Sequence, residues 1–125
     1  MASPLILAVD DQKNNIDILV DMLAEDYEVS VALDGATALE IAREDAPALI
    51  LLDIVMPEMD GFAVVSELQA FPGTALIPVI LISSNDTPEE KTRGIQAGAK
   101  AYLTKPLDKS HLLDTVRKYL PDKGA

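Results

Sequence analysis

Four short runs in this 125-residue sequence end in residues that can do chemistry. Leu5-Ile6-Leu7-Ala8-Val9 ends in Asp10-Asp11, and Leu49-Ile50-Leu51-Leu52 ends in Asp53. Pro78 to Ile82 ends in Ser83-Ser84, and Ala101 to Thr104 ends in Lys105, followed by Pro106. A lone buried carboxylate is costly, so it is normally paired, coordinated or neutralised. If the first and third runs are neighbours, Asp10, Asp11 and Asp53 crowd together, and like charges that close need a counter-charge. A hard divalent cation, Mg²⁺ (or Mn²⁺), held by carboxylates and waters meets that need, and Lys105 adds a monovalent one. A carboxylate in such a place is a nucleophile towards a phosphoryl group, giving an aspartyl phosphate. Phosphoryl transfer asks a protein mainly for positioning and for neutralising charge on the phosphoryl oxygens. Lys105 and the Ser83 hydroxyl have the chemistry to do so.

The elements that must position these groups are legible from periodicity. The four runs are short enough for strands, and their apolar continuity suits strands buried on both faces. Tyr27 to Leu33 reads as a further strand. Between them lie helical patterns. Ile16, Leu19, Val20 and Leu23 recur at i, i+3, i+4, i+7. Ala38, Leu39 and Ala42 form a second inner face, after Asp34-Gly35 and before Pro47. Phe62, Val65 and Leu68 form a third, stopped by Phe71-Pro72-Gly73. Thr87-Pro88-Glu89-Glu90 is a helix start, with Thr87 as N-cap, Pro88 in the first turn and Glu90 where a capping box needs it; that helix closes near Gly98. Gly94 inside it costs up to about 1 kcal/mol relative to Ala, which makes the helix easier to remodel. Asp108 caps a last helix with Leu112, Leu113, Val116, Tyr119 and Leu120 on one stripe. Five strands alternating with five helices predict an α/β fold, a doubly wound (βα)₅ parallel sheet covered on both faces. Ligands of such sheets sit beyond the carboxyl ends of the strands, where Asp10, Asp11, Asp53, Ser83, Ser84 and Lys105 fall.

Length predicts one domain over residues 1–125, with a core at about 5–120. Ten basic and 21 acidic residues give a net charge of −11, a field that opposes phosphate backbones, so no direct nucleic-acid binding is expected. There are no cysteines, consistent with a reducing compartment. No apolar run approaches the ~20 residues of a membrane span. A cytoplasmic protein without membrane insertion is the expectation. His111, the single histidine, falls opposite the last helix's apolar stripe and reads as a surface residue.

Together, and in this order, several motifs resemble the receiver domain of two-component response regulators. They are Asp10-Asp11, Asp53 before Met56-Pro57 and Met59-Asp60-Gly61, Ser83, Gln96-Ala97-Gly98-Ala99 and Lys105-Pro106. The resemblance runs from Leu5 to Leu120. It implies a flavodoxin-like sheet of order 2-1-3-4-5 and a phosphorylation-controlled switch rather than a conventional enzyme. It implies Asp53 as phosphoacceptor, and Asp11, Asp53 and the Val55 carbonyl as Mg²⁺ ligands. Asp10 would hold metal-bound water, and Lys105 the phosphoryl group. Ser83 would be the switch hydroxyl with Tyr102 as its coupled aromatic, and Ser84 the small residue that admits the phosphoryl group. A cis Lys105-Pro106 bond is also implied. Partners would be a histidine kinase or phosphotransfer protein, and a downstream protein or output domain reached through the fourth helix, fifth strand and fifth helix. The first helix is expected to dock the phosphodonor through Ile18 and Met22, with Asn15 beside them, on the side away from its inner stripe.

Three rival readings are weaker. A receiver-shaped binding module indifferent to phosphorylation would not need the acid–lysine set. A D-x-D phosphatase lacks its second acid, because Val55 stands there. A flavodoxin-like cofactor carrier would not place Asp10-Asp11 where a cofactor phosphate binds. The chain is expected to be either a stand-alone receiver or one cut from a longer protein.

Overall fold

Apolar alternation with helical segments produces the expected layers. The computed structural model describes residues 4–84 and 87–120. The elements run β1 (Leu5–Val9), α1 (Lys13–Leu23), β2 (Glu28–Ala32), α2 (Gly35–Asp45), β3 (Leu49–Asp53), α3 (Gly61–Ala70), β4 (Val79–Ser83), α4 (Pro88–Ala97), β5 (Ala101–Thr104) and α5 (Lys109–Tyr119). All strand pairings are parallel, in the order β2-β1-β3-β4-β5. β3 and β4 are buried at every residue, as the middle of a sheet covered on both faces requires.

One core cluster joins Leu7, Leu52 and Leu81 to α2 and α3 through Leu39, Phe62 and Val65. The other joins Ile6, Leu51 and Ile80 to α1 and α5 through Leu19, Leu23, Leu112 and Val116. Four helices begin at side-chain caps. Asp34, Asp60, Thr87 and Asp108 accept from the backbone N–H groups of Thr37, Ala63, Glu90 and His111 at 2.7, 2.9, 3.3 and 2.9 Å, each satisfying a donor the helix leaves open. In α1 the preceding Gln12 makes no side-chain cap; its N–H instead donates to Asp10 Oδ1 at 2.9 Å. The same carboxylate thus orders the entry to α1 and belongs to the acid group.

Three expectations need correction. β2 is shorter than Tyr27–Leu33, because the Tyr27 N–H bonds back to Leu23 at 3.0 Å and completes the turn after α1, while the pairing with β1 stops at Ala32. β4 begins at Val79 rather than Pro78. Met22 is not on an open face: it is half-buried against the cluster that contains Leu112 and Val116. α5 lies alongside α1, so the apolar arc of α1 is wider than its four-residue stripe suggests. Ile18 is 51% exposed, as expected. The Lys105-Pro106 bond is cis. His111 is exposed. Among the described residues no helix is long and apolar enough to cross a membrane.

Candidate functional site

Because β1 pairs directly with β3, the two acidic strand ends meet. Asp10, Asp11 and Asp53 each offer a carboxylate oxygen within 4.8 Å of the others'. Asp10 is 2% exposed and Asp53 5%; Asp11 is the least buried of the three. Lys105 arrives from the far side of β4, at the end of β5. Its Nζ donates to Asp53 Oδ2 at 3.3 Å and to Asp10 Oδ2 at 3.5 Å. The backbone also holds it there, through its N–H to the Ser83 carbonyl at 2.8 Å. The other Asp53 oxygen accepts from the Val55 N–H at 3.3 Å.

Burial raises the Asp53 pKa, and the Asp10 charge raises it further. The Lys105 charge and the Val55 N–H oppose them, and the balance leaves it at about 6 rather than 3.8. One lysine therefore does not fully relieve the crowding. Three hard oxygen donors at this spacing, short of positive charge, fit Mg²⁺.

The loop after β3 is built around this carboxylate. Gly61 N–H bonds to the Ile54 carbonyl at 2.8 Å. A Cβ on Gly61 would lie 2.7 Å from both the Asp53 carbonyl oxygen and Ile54 Cα. That is backbone, which cannot swing aside. Gly61→Ala should therefore destabilise the chain by about 1–3 kcal/mol, read as a lower urea midpoint at unchanged slope. A wild-type midpoint would mean that the loop yields without strain. Glu58 sits at φ 68°, with the Met59 N–H bonded to the Pro57 carbonyl at 2.7 Å. This tight turn lies between Asp53 and α3. Sequence reading took Met59-Asp60-Gly61 as a motif but missed Glu58, because nothing in its residue type signals a left-handed backbone.

Ser83 is fully buried at the end of β4, and Ser84, just beyond, is exposed. A groove of about 490 Å³ beside the acids is lined by Asp10, Asn15, Ile18, Ser84, Lys105 and Leu107, among others. Tyr102 pairs across from Leu81 and is half-buried, packed against the α2–α3 core. Its hydroxyl donates to Glu90 Oε1 at 3.1 Å. Val55 is 68% exposed at the rim. The fold thus brings the three acids, Lys105, Ser83 and Ser84 to one sheet edge, with Tyr102 on the adjoining edge strand.

Residues 6–117 match the family described as the response regulator receiver domain. This chain belongs to it. Response regulator PleD of Caulobacter vibrioides is 47% identical over 116 residues, covering 92% of this chain but 26% of that protein. The chain thus spans about a quarter of that relative's length. Chemotaxis protein CheY4 of Vibrio cholerae superposes with a TM-score of 0.90 at 32% identity, covering 95% of this chain and all of that one. The receiver domain of sensor histidine kinase PA1611 from Pseudomonas aeruginosa superposes at 0.87 and 28% identity, covering 94% and 98% of the two chains. That receiver has a magnesium ion coordinated in its active-site cleft. Receiver domains are signalling modules of two-component systems that bind Mg²⁺ in an acidic pocket, and this chain has a cluster of three aspartates, Asp10, Asp11 and Asp53.

Proposed function

We propose that this receiver accepts a phosphoryl group on Asp53 from a phosphohistidine of a kinase or phosphotransfer protein and then changes its partner binding. The observation that carries the reading is Lys105 joining two buried carboxylates, with a third beside them. An Asp53 oxygen forms the new bond to phosphorus. The phosphorus–nitrogen bond of the donor breaks, and its electron pair leaves on the imidazole nitrogen. Lys105 moves its contacts from carboxylate to phosphoryl oxygen. The Ser83 hydroxyl donates to another, and Ser84 leaves room for the group. Asp11, Asp53 and the Val55 carbonyl would hold Mg²⁺ directly and Asp10 through water, and the ion, when bound, would neutralise charge on the phosphoryl oxygens. The chain thus assists its own phosphorylation and dephosphorylation without being a conventional enzyme. A cytoplasmic location and a single receiver unit over residues 1–125 belong to the same reading.

Incubation with acetyl phosphate and Mg²⁺ tests it: one acid-stable, base-labile phosphoryl group should appear per chain. A receiver-shaped module indifferent to phosphorylation would stay unlabelled. Donor docking falls to α1. Ile18 is exposed and lines the groove beside the acids. Ile18→Glu should slow transfer from a cognate phosphohistidine protein at least tenfold while leaving acetyl phosphate labelling unchanged. Equal loss in both assays would mean a damaged fold.

Output leaves through α4, β5 and α5. When Ser83 turns inward to the phosphoryl group, Tyr102 follows into the vacated space. A switch moves only by differential interaction with its two states, and the covalent phosphoryl group supplies it. Tyr102→Ala should still be labelled at Asp53 yet lose the phosphorylation dependence of partner affinity. If that affinity still responds as in the parent, the signal travels through α4 alone.

A further inference from the structure

Sequence marks Glu90 as half of a capping box, but its side chain has a second engagement. The Thr87 hydroxyl caps the Glu90 N–H at 3.3 Å, while Glu90 Oε1 takes the Tyr102 hydroxyl at 3.1 Å. The acceptor sits in the first turn of α4 and the donor on β5, twelve residues later. One turn down the helix, a Cβ on Gly94 would lie 3.6 Å from the Tyr102 ring and 2.7 Å from Leu81 Cδ1. Gly94 is therefore more than a weak point of the helix. Its bare backbone lets α4 lie close over β4 and β5, so the Tyr102 ring runs along the Glu90–Gly94 side of α4. Ser83 lies inward, two residues past Leu81, the β4 neighbour of Tyr102.

We infer that Glu90 is a positioning residue of the switch. It ties the Tyr102 hydroxyl to the first turn of α4 through a charge-assisted hydrogen bond and so biases the unphosphorylated receiver to its resting state. The inference rests on the Ser83–Tyr102 coupling proposed above. A hydroxyl bonded to an ionised acceptor is held about twice as strongly as one bonded to a neutral acceptor. Turning Tyr102 towards Ser83 takes its hydroxyl away from Glu90 unless the first turn of α4 follows. The latch thus ties ring rotation to movement of α4. A glutamine at 90 keeps an acceptor oxygen of the same reach but no charge. An alanine keeps the helix and removes the acceptor.

The chain has three tyrosines, so 19F NMR of 3-fluorotyrosine-labelled protein gives few resonances, and Tyr102→Phe identifies the one needed. In Glu90→Ala the Tyr102 resonance should move towards its position in the acetyl phosphate-treated parent, with Tyr27 and Tyr119 unmoved. Labelling by acetyl phosphate should quicken about threefold or more. Glu90→Gln should fall between Glu90→Ala and the parent. A Tyr102 resonance in Glu90→Ala identical to the parent's overturns the latch. So does an equal displacement in both variants with Tyr27 and Tyr119 moving too, since that is general disturbance. If phosphorylation of the parent leaves the Tyr102 resonance in place, the switch reading itself fails, and Glu90 loses its role whatever the variants do.

Discussion

Asp53→Asn should abolish labelling by acetyl phosphate and, without metal, make the chain more stable at pH 7 than its parent. The first effect is the loss of the nucleophilic oxygen. The second follows from the site's electrostatics. Burial and then the Asp10 charge raise the folded Asp53 pKa to about 6 from 3.8. Between those values the folded state keeps a proton that the unfolded state releases. The Asp53 contribution to stability therefore falls as pH rises through the window from about 4 to 6, and is level above it. A shift of about two units corresponds to about 3 kcal/mol between the ends of that window. Asparagine does not titrate, so the variant should lose most of this slope and gain up to that amount at pH 7. Urea unfolding in EDTA at pH 4, 5, 6 and 7 measures both. Parallel profiles for parent and variant would show that Asp53 is not the strained group.

Mg²⁺ should raise the melting temperature of the parent by roughly 10 °C at a hundredfold excess over Kd, because binding to the folded state alone adds about 2.7 kcal/mol. The charge balance makes Lys105→Ala the sharper version. Lys105 is the cation touching both Asp10 and Asp53. Its removal in EDTA should cost about 2 kcal/mol, less than the 3–5 typical of breaking a buried pair. Lys105 keeps 26% exposure, and Asp53 can take up a proton in response. Mg²⁺ should then stabilise the variant by more than it stabilises the parent, since the ion meets carboxylates no longer shared with an ammonium. Asp11→Asn should shrink the Mg²⁺ increment in either background. A melting temperature indifferent to Mg²⁺ in both parent and Lys105→Ala would remove the metal from the site.

Much of this was written in the order of residues. The elements could be read because most strands are short apolar runs closed by a polar group, and four of the five helices have a side-chain cap at their start. Asp34, Asp60, Thr87 and Asp108 cap through their own side chains, and such local bonds depend on a few consecutive residues. The acid–lysine set was legible for a similar reason: in a parallel α/β sheet, every strand's carboxyl end falls on one edge. The order 2-1-3-4-5, by contrast, came from family resemblance. It is this order that sets β1 beside β3 and so makes three scattered aspartates one charge cluster.

Tertiary packing decided what local pattern could not. Met22 has the helical spacing of an open face, but it packs half-buried against the core cluster that α1 and α5 share. Glu58 adopts a left-handed backbone because the chain must turn tightly between Asp53 and α3. Gly61 and Gly94 matter because backbone or core atoms from elsewhere come within 2.7 Å of where a Cβ would stand. Glu90 was legible as a cap residue, but its bond to Tyr102 joins α4 to β5. Caps and periodicity act between near neighbours in sequence. Charge crowding, close approach and cross-element hydrogen bonds act between residues that only the folded chain makes neighbours.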